Sequence, residues 1–194
     1  MKLHWGAIPE NQAFEPEAEG WLSIREPNPV AIQFLALPVA LLVMPLLGGL
    51  FYLVWPAGLA SSFIWLLLLF LVGLIPVHEL LHALCFPGGL KSPQTLIGVW
   101  PARLLFYAHY EGSMPRNRFL LTFVMPFLVL SLLPVALVGL LQWPSLDLLF
   151  LSLVNGAAAS GDIIGIFLVT LQVPPGAMVR NKGWRTYWKP ALSQ

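Results

Sequence analysis

Four long apolar stretches decide what this chain of 194 residues can fold into. They cover about residues 33–54, 62–86, 119–141 and 146–171. Each is long enough to cross the hydrocarbon core of a bilayer as a helix, which takes about 20 residues. Only 10% of the chain is charged, whereas about a quarter of an ordinary soluble domain is. We therefore predict an all-α membrane protein with four transmembrane helices.

The basic residues predict how these helices are oriented. All ten Lys and Arg residues lie in segment 1–32, in the loop between the second and third helices, or in tail 172–194. With four spans these three regions share one side of the membrane, which the positive-inside rule makes cytoplasmic. Trp55 and Trp143, each followed by proline, then mark the opposite interface. We expect a multi-pass protein with both termini in the cytoplasm.

The loop between the second and third helices has a strand pattern. Residues 94–100 and 103–110 are rich in β-branched and aromatic side chains, and Pro101 separates the two runs. This pattern favours two short strands joined by a turn. We predict a small β-hairpin over about 94–110, on the cytoplasmic side of the membrane.

The two ends of the chain differ in composition from the membrane domain at 33–171. Segment 1–32 is acidic and contains four prolines, which predicts a cytoplasmic membrane-surface segment with little regular structure. Tail 172–194 is basic and aromatic, which suits either contact with anionic lipid headgroups or a disordered end. The net charge of the whole chain is +1, so charge gives no sign of a nucleic-acid partner.

The second apolar stretch contains the motif His78-Glu79-Leu80-Leu81-His82. Positions i and i+4 lie on one face of a helix, so the two histidines can share a metal ion. In an H-E-x-x-H motif that ion is zinc and the glutamate is a general base. Ionisable side chains are costly inside a bilayer and need a function there. We predict one Zn²⁺ ion bound by His78 and His82, with Glu79 as the catalytic residue.

Depth in the membrane selects a third ligand, because a catalytic zinc site has three protein ligands and one open position. His78 lies 16 residues after Ser62, and Asp162 lies 16 residues after Leu146. The second and fourth helices start at these two residues, on the same side. At 1.5 Å per residue, both side chains are about 24 Å down a core of about 30 Å. We predict Asp162 as the third ligand, on a helix whose small residues permit close approach.

Other polar side chains are further candidates. Asn155 shares a helix face with Asp162, two turns away, and can hydrogen-bond the motif helix or orient substrate. The remaining candidates lie near the hairpin: Cys85, His109 and Glu111 as alternative zinc ligands, and Tyr107 and His109 as substrate contacts. The simplest competing interpretation is a buried polar network of the same His, Glu and Asp side chains that only ties two helices together.

These motifs carry a family resemblance. The chain resembles the zincin peptidase family of small bacterial four-pass membrane proteins, long catalogued as a domain of unknown function. More distantly it is similar to site-2 proteases, whose third ligand typically lies in an Asn-Pro-Asp-Gly motif where this chain has Ser160-Gly161-Asp162-Ile163. The resemblance implies a bacterial cell membrane, zinc at His78, His82 and Asp162, and Glu79 as catalytic base. The resembling features are His78-Glu79-x-x-His82-Ala83-Leu84, Tyr107-Ala108-His109 followed by Pro126, Gly161-Asp162-Ile163 and the basic tail with Gly183.

The sequence thus predicts an integral-membrane zinc metallopeptidase that hydrolyses peptide bonds in or near the membrane with a zinc-activated water. Its expected partners are the lipid bilayer and a membrane-protein or peptide substrate. The alternative is a non-catalytic protein, either a membrane metal-binding module or a pseudoprotease scaffold. Glu79 favours catalysis, because a metal store needs no base at that position.

Overall fold

The computed structural model describes residues 1–56, 64–142 and 145–190. The predicted interfacial pair Trp143-Pro144 lies outside the described residues, as do the start of the second helix at Ser62 and most of the loop before it. In the described part, the α-helices are α1 (Pro29–Val54), α2 (Ile64–Cys85), α3 (Arg116–Phe127), α4 (Leu133–Leu141), α5 (Leu146–Ala158) and α6 (Ser160–Gln172). The strands are β1 (Lys2–Trp5), β2 (Leu22–Ser23), β3 (Thr95–Trp100), β4 (Leu105–Tyr110), β5 (Ser113–Pro115), β6 (Met178–Lys182) and β7 (Arg185–Lys189).

Helix α1 has the properties of a membrane span. Asn28 caps its N-terminus by accepting two backbone hydrogen bonds, of 3.0 and 2.9 Å. Pro29 occupies the first helical position, where its missing N–H has no helical partner to lose. Among the apolar side chains that follow, only Leu47 and Phe51 are buried. This 26-residue helix is long and apolar enough to cross a membrane, and most of its apolar surface is exposed.

Two described helices are long and apolar enough to cross a membrane, namely α1 and the continuous helix Arg116–Leu141. The second consists of α3, a π-helical turn at Leu128–Leu132, and α4. Helices α5 and α6 meet with a bend of 46°, and the pair makes a third span if it is counted as one. The described residues Val72–Cys85 of α2 form a shorter apolar helix. The total of four spans therefore stays a prediction.

The chain also forms two β-sheets, so the all-α description is too narrow. Sheet A has the order β1-β3-β4, with β1 parallel to β3 and β3 antiparallel to β4. Sheet B has the order β2-β7-β6-β5 and is antiparallel throughout. In the pairing of β3 with β4, Thr95 lies opposite Tyr110 at one end and Trp100 lies opposite Leu105 at the other. The side of the membrane on which this hairpin lies stays a prediction.

The segments outside the helices are more regular than their composition suggests. Segment 1–32, predicted to have little regular structure, contributes β1 and β2. The tail forms the hairpin β6–β7, so a disordered end is wrong for residues 178–189. Because β2 pairs with β7, the two ends of the chain meet in one sheet. Such long-range pairing leaves no local signal in the sequence.

Helices α1 and α5 approach closely at Gly156. A Cβ atom there would clash with Leu47 Cδ1 and lie 3.1 Å from Val43 Cγ1. Leu47 is itself buried, so it has little room to move. Gly156 belongs to the small residues of the fourth apolar stretch that predict close approach of another helix. In the structure, the helix that approaches Gly156 is α1.

Glu26 joins the segment before α1 to the tail hairpin. Its carboxylate accepts hydrogen bonds from the Thr186 N–H at 2.6 Å and from the Thr186 hydroxyl at 3.1 Å. Next to it, the Trp184 indole donates to the Pro27 carbonyl at 2.8 Å. Burial raises the pKa of Glu26 to about 7, although the hydrogen bonds from Thr186 act in the opposite direction.

We expect the free energy of unfolding to fall as the pH rises through this range. A carboxyl group with a higher pKa in the folded state keeps its proton there longer than in the unfolded chain. Its stabilising contribution is therefore full below pH 4.5 and is lost as the pH rises to about 7. The shift corresponds to about 3 kcal/mol. Unfolding of the wild type and Glu26→Gln in detergent between pH 4.5 and 8 measures it, and identical pH profiles would contradict it.

Candidate metal centre

Three of the predicted site residues converge at one point from two helices. His78 and His82 lie one turn apart on α2, and their Nε2 atoms are 3.1 Å apart. Asp162 lies in the first turn of α6. Its Oδ2 is 3.1 Å from His78 Nε2, and its Oδ1 is 3.5 Å from His82 Nε2. Both histidines are more than nine-tenths buried.

Asn155 determines which nitrogen of His78 carries the proton. The Asn155 amide nitrogen donates to the Pro126 carbonyl at 3.0 Å and to the Ser131 hydroxyl at 2.9 Å. The amide oxygen therefore faces His78 Nδ1, at 2.9 Å. Because that oxygen can only accept, Nδ1 of His78 carries the hydrogen, and Nε2 of the neutral ring has a free lone pair.

A backbone carbonyl has the same effect on His82. Its Nδ1 lies 2.7 Å from the Thr122 carbonyl oxygen, which can only accept. This carbonyl is available because the residue four positions later is Pro126, which has no N–H to bond it within α3. Nε2 of His82 therefore also has a free lone pair in the neutral ring.

The convergent atoms fit a zinc ion. With both rings neutral, two imidazole nitrogens and a carboxylate meet 3.1–3.5 Å apart with no hydrogen between them. Zinc bonds of about 2.0–2.1 Å at tetrahedral angles separate neighbouring ligand atoms by about 3.3–3.4 Å. Both the chemical identity and the spacing of this donor set therefore suit Zn²⁺.

Glu79 is the second carboxylate at the site. It offers an oxygen within 4.8 Å of the ligand atoms of His78 and His82, whereas the Asp162 oxygens lie at 3.1 and 3.5 Å. Glu79 and Ala108 of β4 line the same cavity. The shorter distances favour Asp162 as the ligand and leave Glu79 available to accept a proton.

The structure does not gather the other predicted ligands into this group. Within the described ranges, the mutually close group of potential metal ligands consists of His78, Glu79 and His82. Asp162 joins it through its contacts of 3.1 and 3.5 Å with the two histidines, whereas no such contact in the described part of the chain brings Cys85, His109 or Glu111 to either histidine. His109 is buried on β4 and lines the same cavity as the motif. Burial lowers the pKa of His109 to about 4, so its ring is neutral at pH 7. The Tyr107 hydroxyl lies 3.3 Å from the Gly6 carbonyl and binds the N-terminal segment.

A cavity of about 420 Å³ contains the site. Its walls come from α2, from strand β4, from the start of α1 and from α6. Glu26 and Trp184 close part of it from the N-terminal segment and the tail hairpin. Both ends of the chain therefore help to enclose the space next to the motif.

The groups that hold the ligands in place are not part of any motif in the sequence. Thr122 acts through its backbone carbonyl, so its side chain gives no signal, but Pro126 four residues later does. Ser131 supports Asn155 and is itself fixed by Ser152, because each hydroxyl donates to the other residue's carbonyl, at 3.0 and 2.8 Å. Two isolated serines in apolar helices were the available signal, since such side chains are enriched where membrane helices pack.

Replacing Asn155 with alanine is expected to weaken zinc binding by about 10–100-fold, because His78 loses the acceptor that orients its ring. Asn155→Asp keeps an acceptor at this position, so its loss of zinc affinity should be smaller. Ser152→Ala is the matched control, since it removes a hydrogen bond from the same polar group without touching His78. Competition with a chelator of known zinc affinity measures the effect. Equal affinities for the wild type and Asn155→Ala would contradict the orienting role.

Comparison with known proteins gives one result. A protein-family model matches residues 70–178, which is more than half of the chain, and its family is described as "Putative zincin peptidase". The matched region includes the motif on α2, the hairpin and Asp162 on α6. No curated protein and no solved structure matches the chain.

Proposed function

The chain belongs to this zincin peptidase family, and on that premise we propose that it is an integral-membrane zinc metallopeptidase that hydrolyses peptide bonds in or near the bilayer. One observation carries the proposal. Two imidazole nitrogens and a carboxylate without intervening hydrogens converge beside a second, buried carboxylate. This is the donor set of a catalytic zinc site with its general base.

In this proposal His78, His82 and Asp162 hold the ion, and Asn155 and the Thr122 carbonyl orient the two rings. A bound zinc ion would supply a Lewis acid that lowers the pKa of a water molecule and polarises the substrate carbonyl.

Glu79 has the proton-transfer role. Its carboxylate accepts a proton from the water that attacks the peptide carbonyl carbon, and later gives that proton to the leaving amine. The C–N bond breaks, and a carboxylate and an amine are released. Glu79 lines the same cavity as β4, the strand along which substrate would lie.

Strand β4 offers a binding edge for the substrate. It is an outer strand of sheet A as described, and Leu105–His109 line the cavity that contains the motif. An extended peptide can add to such an edge through backbone hydrogen bonds. Phe106→Pro, which removes an edge N–H, should then raise KM for peptide cleavage, and unchanged kinetics would argue against this mode of binding.

We also propose four spans, with both termini in the cytoplasm. The two long helices and the bent pair α5–α6 account for three spans, and α2 is the fourth apolar helix. The distribution of Lys and Arg supports this orientation. Reporter fusions after residue 56 and at the C-terminus should report opposite sides of the membrane.

The alternative is a metal-binding or scaffold protein without peptidase activity. A second proton on one histidine would join the same atoms by hydrogen bonds without a metal ion, as in a purely structural network. Glu79 favours catalysis over metal storage, because neither histidine needs it as a hydrogen-bond partner.

Metal removal tests the proposed activity. Purified protein in liposomes should cleave members of a quenched-fluorescent peptide library, lose this activity with a zinc chelator, and regain it with added Zn²⁺. Cleavage that persists after complete zinc removal, or a zinc-loaded protein that cleaves no peptide, would contradict the proposal.

A further inference from the structure

One face of sheet A is apolar except at its Thr95–Tyr110 end. The register places Leu3 beside Ile97 and Trp5 beside Val99, and the pairing continues from β3 to Ala108 and Phe106 on β4. Register partners project from the same side of a sheet. Lys2 and His4 alternate with Leu3 and Trp5 and therefore project from the other side. The apolar face consists of Leu3, Trp5, Ile97, Val99, Phe106 and Ala108.

This apolar face points towards the helices. Tyr110 continues it along β4, and its ring packs on Phe86, which directly follows α2, with ring centroids 5.4 Å apart. Ile97 and Ala108 pack against the core cluster that contains Phe86 and Ala83. The centre of the face therefore rests on the C-terminal end of α2.

Large apolar side chains are exposed at the rim of sheet A, both on its outer strand β1 and at the tip of the β3–β4 hairpin. Leu3 is 81% exposed and Trp5 is 76% exposed. At the tip of the hairpin, Leu104 is 90% exposed and has a φ of 49°, a left-handed conformation that is unfavourable for leucine. Three large apolar side chains at one rim are more than scattered surface residues and indicate a contact surface.

The bilayer is the partner that fits this rim. The Gln33 amide donates to the Arg103 carbonyl at 2.8 Å, which fixes the hairpin tip beside the first turns of α1. The exposed apolar surface of α1 begins there, with Phe34 at 68% exposure. The rim is thus continuous with the surface of a candidate span and faces the side on which α2 lies. Arg103 beside the Trp100 ring suits the headgroup layer.

We propose that sheet A inserts its rim, formed by Leu3 and Trp5 on β1 and by Leu104 at the hairpin tip, into the boundary between headgroups and acyl chains of the leaflet in which α1 begins. Sheet A is then a membrane-embedded element. Its strand β4 lies at the level of the lipid surface. This inference is independent of peptidase activity.

Spin labels on the two sides of sheet A test the proposal. Single cysteines replace Leu3, Trp5 or Leu104 in a Cys85→Ser background, and the labelled protein is reconstituted in phosphatidylcholine–phosphatidylglycerol liposomes. Lys2→Cys is the matched control, because it lies on the same strand and projects from the opposite face. Leu41→Cys, in the exposed part of α1, is the lipid reference. Collision rates with oxygen and with a water-soluble nickel chelate are then measured for each label.

The labels at the three rim positions should resemble the lipid reference, with an oxygen-to-nickel accessibility ratio severalfold higher than that of the Lys2→Cys label. Equal nickel accessibility at all positions of sheet A would overturn the proposal, because the rim would then lie in water. Rim labels that are immobile and shielded from both reagents would also overturn it, because protein would then cover the rim. Unchanged zinc content and circular dichroism show that each labelled variant is folded.

Discussion

Replacing Glu79 with glutamine is expected to lower the rate of peptide hydrolysis by about 10²–10⁴-fold and to leave zinc binding intact. Glutamine has nearly the same shape but does not accept a proton, and the proposed ligands of the zinc ion are His78, His82 and Asp162. Hydrolysis of a quenched-fluorescent peptide and metal analysis of the same preparation measure the two effects.

Glu111→Gln is the matched control for this substitution. It removes one carboxylate from the residues just after β4 and lies outside the group of metal-binding side chains. We expect it to keep both activity and zinc. If Glu79→Gln lost zinc together with activity, Glu79 would be a metal ligand and the general base would have to be another residue.

Replacing Asp162 with alanine is expected to remove zinc from the purified protein. The substitution deletes one of three ligand groups and leaves two imidazole nitrogens 3.1 Å apart without the carboxylate. The loss of affinity should exceed the roughly 10–100-fold that follows the loss of a ligand's hydrogen-bond partner. Equilibrium competition with a zinc chelator measures it.

Asp147→Asn is the control here, because Asp147 and Asp162 are the only two aspartates of the chain and lie on successive helices. It should keep full zinc affinity. Full zinc in Asp162→Ala would instead assign the third ligand to Glu79, which offers the next carboxylate to the two histidines.

The metal site could be predicted from the sequence because its residues follow local and periodic patterns. His78 and His82 are one helical turn apart, so their common face follows from helix geometry alone. Asp162 followed from counting residues in two apolar stretches. That count assumed a straight fourth helix, whereas α5 and α6 bend by 46°. The carboxylate still meets both histidines because it lies in the first turn of α6, just after the bend.

Groups that act through the backbone were the hardest to predict. Nothing in the side chain of Thr122 indicates that its carbonyl orients His82. The useful signal was Pro126, because a proline inside a helix frees the carbonyl four residues before it. Asn155 was predicted to contact the motif helix or substrate, and in the structure it faces His78.

The sheets show why the predicted fold was incomplete. The hairpin of β3 and β4 is a local structure, and its two runs of β-branched and aromatic residues are visible in the sequence. Strands β1 and β2 are short, and their partners lie far along the chain. Two residues of β2 carry too little pattern to reveal their pairing with Trp188 and Tyr187. Only tertiary contact defines such strands.

Metal analysis of the wild-type protein combined with zinc X-ray absorption tests whether His78, His82 and Asp162 form a zinc site. We expect about one Zn²⁺ per chain, with a first coordination sphere of two imidazole nitrogens and oxygen ligands at about 2.0–2.1 Å. A protein that is folded, binds no zinc when zinc is supplied, and keeps His78, His82 and Asp162 together would contradict it. Those three side chains would then form a structural polar network joined by a proton.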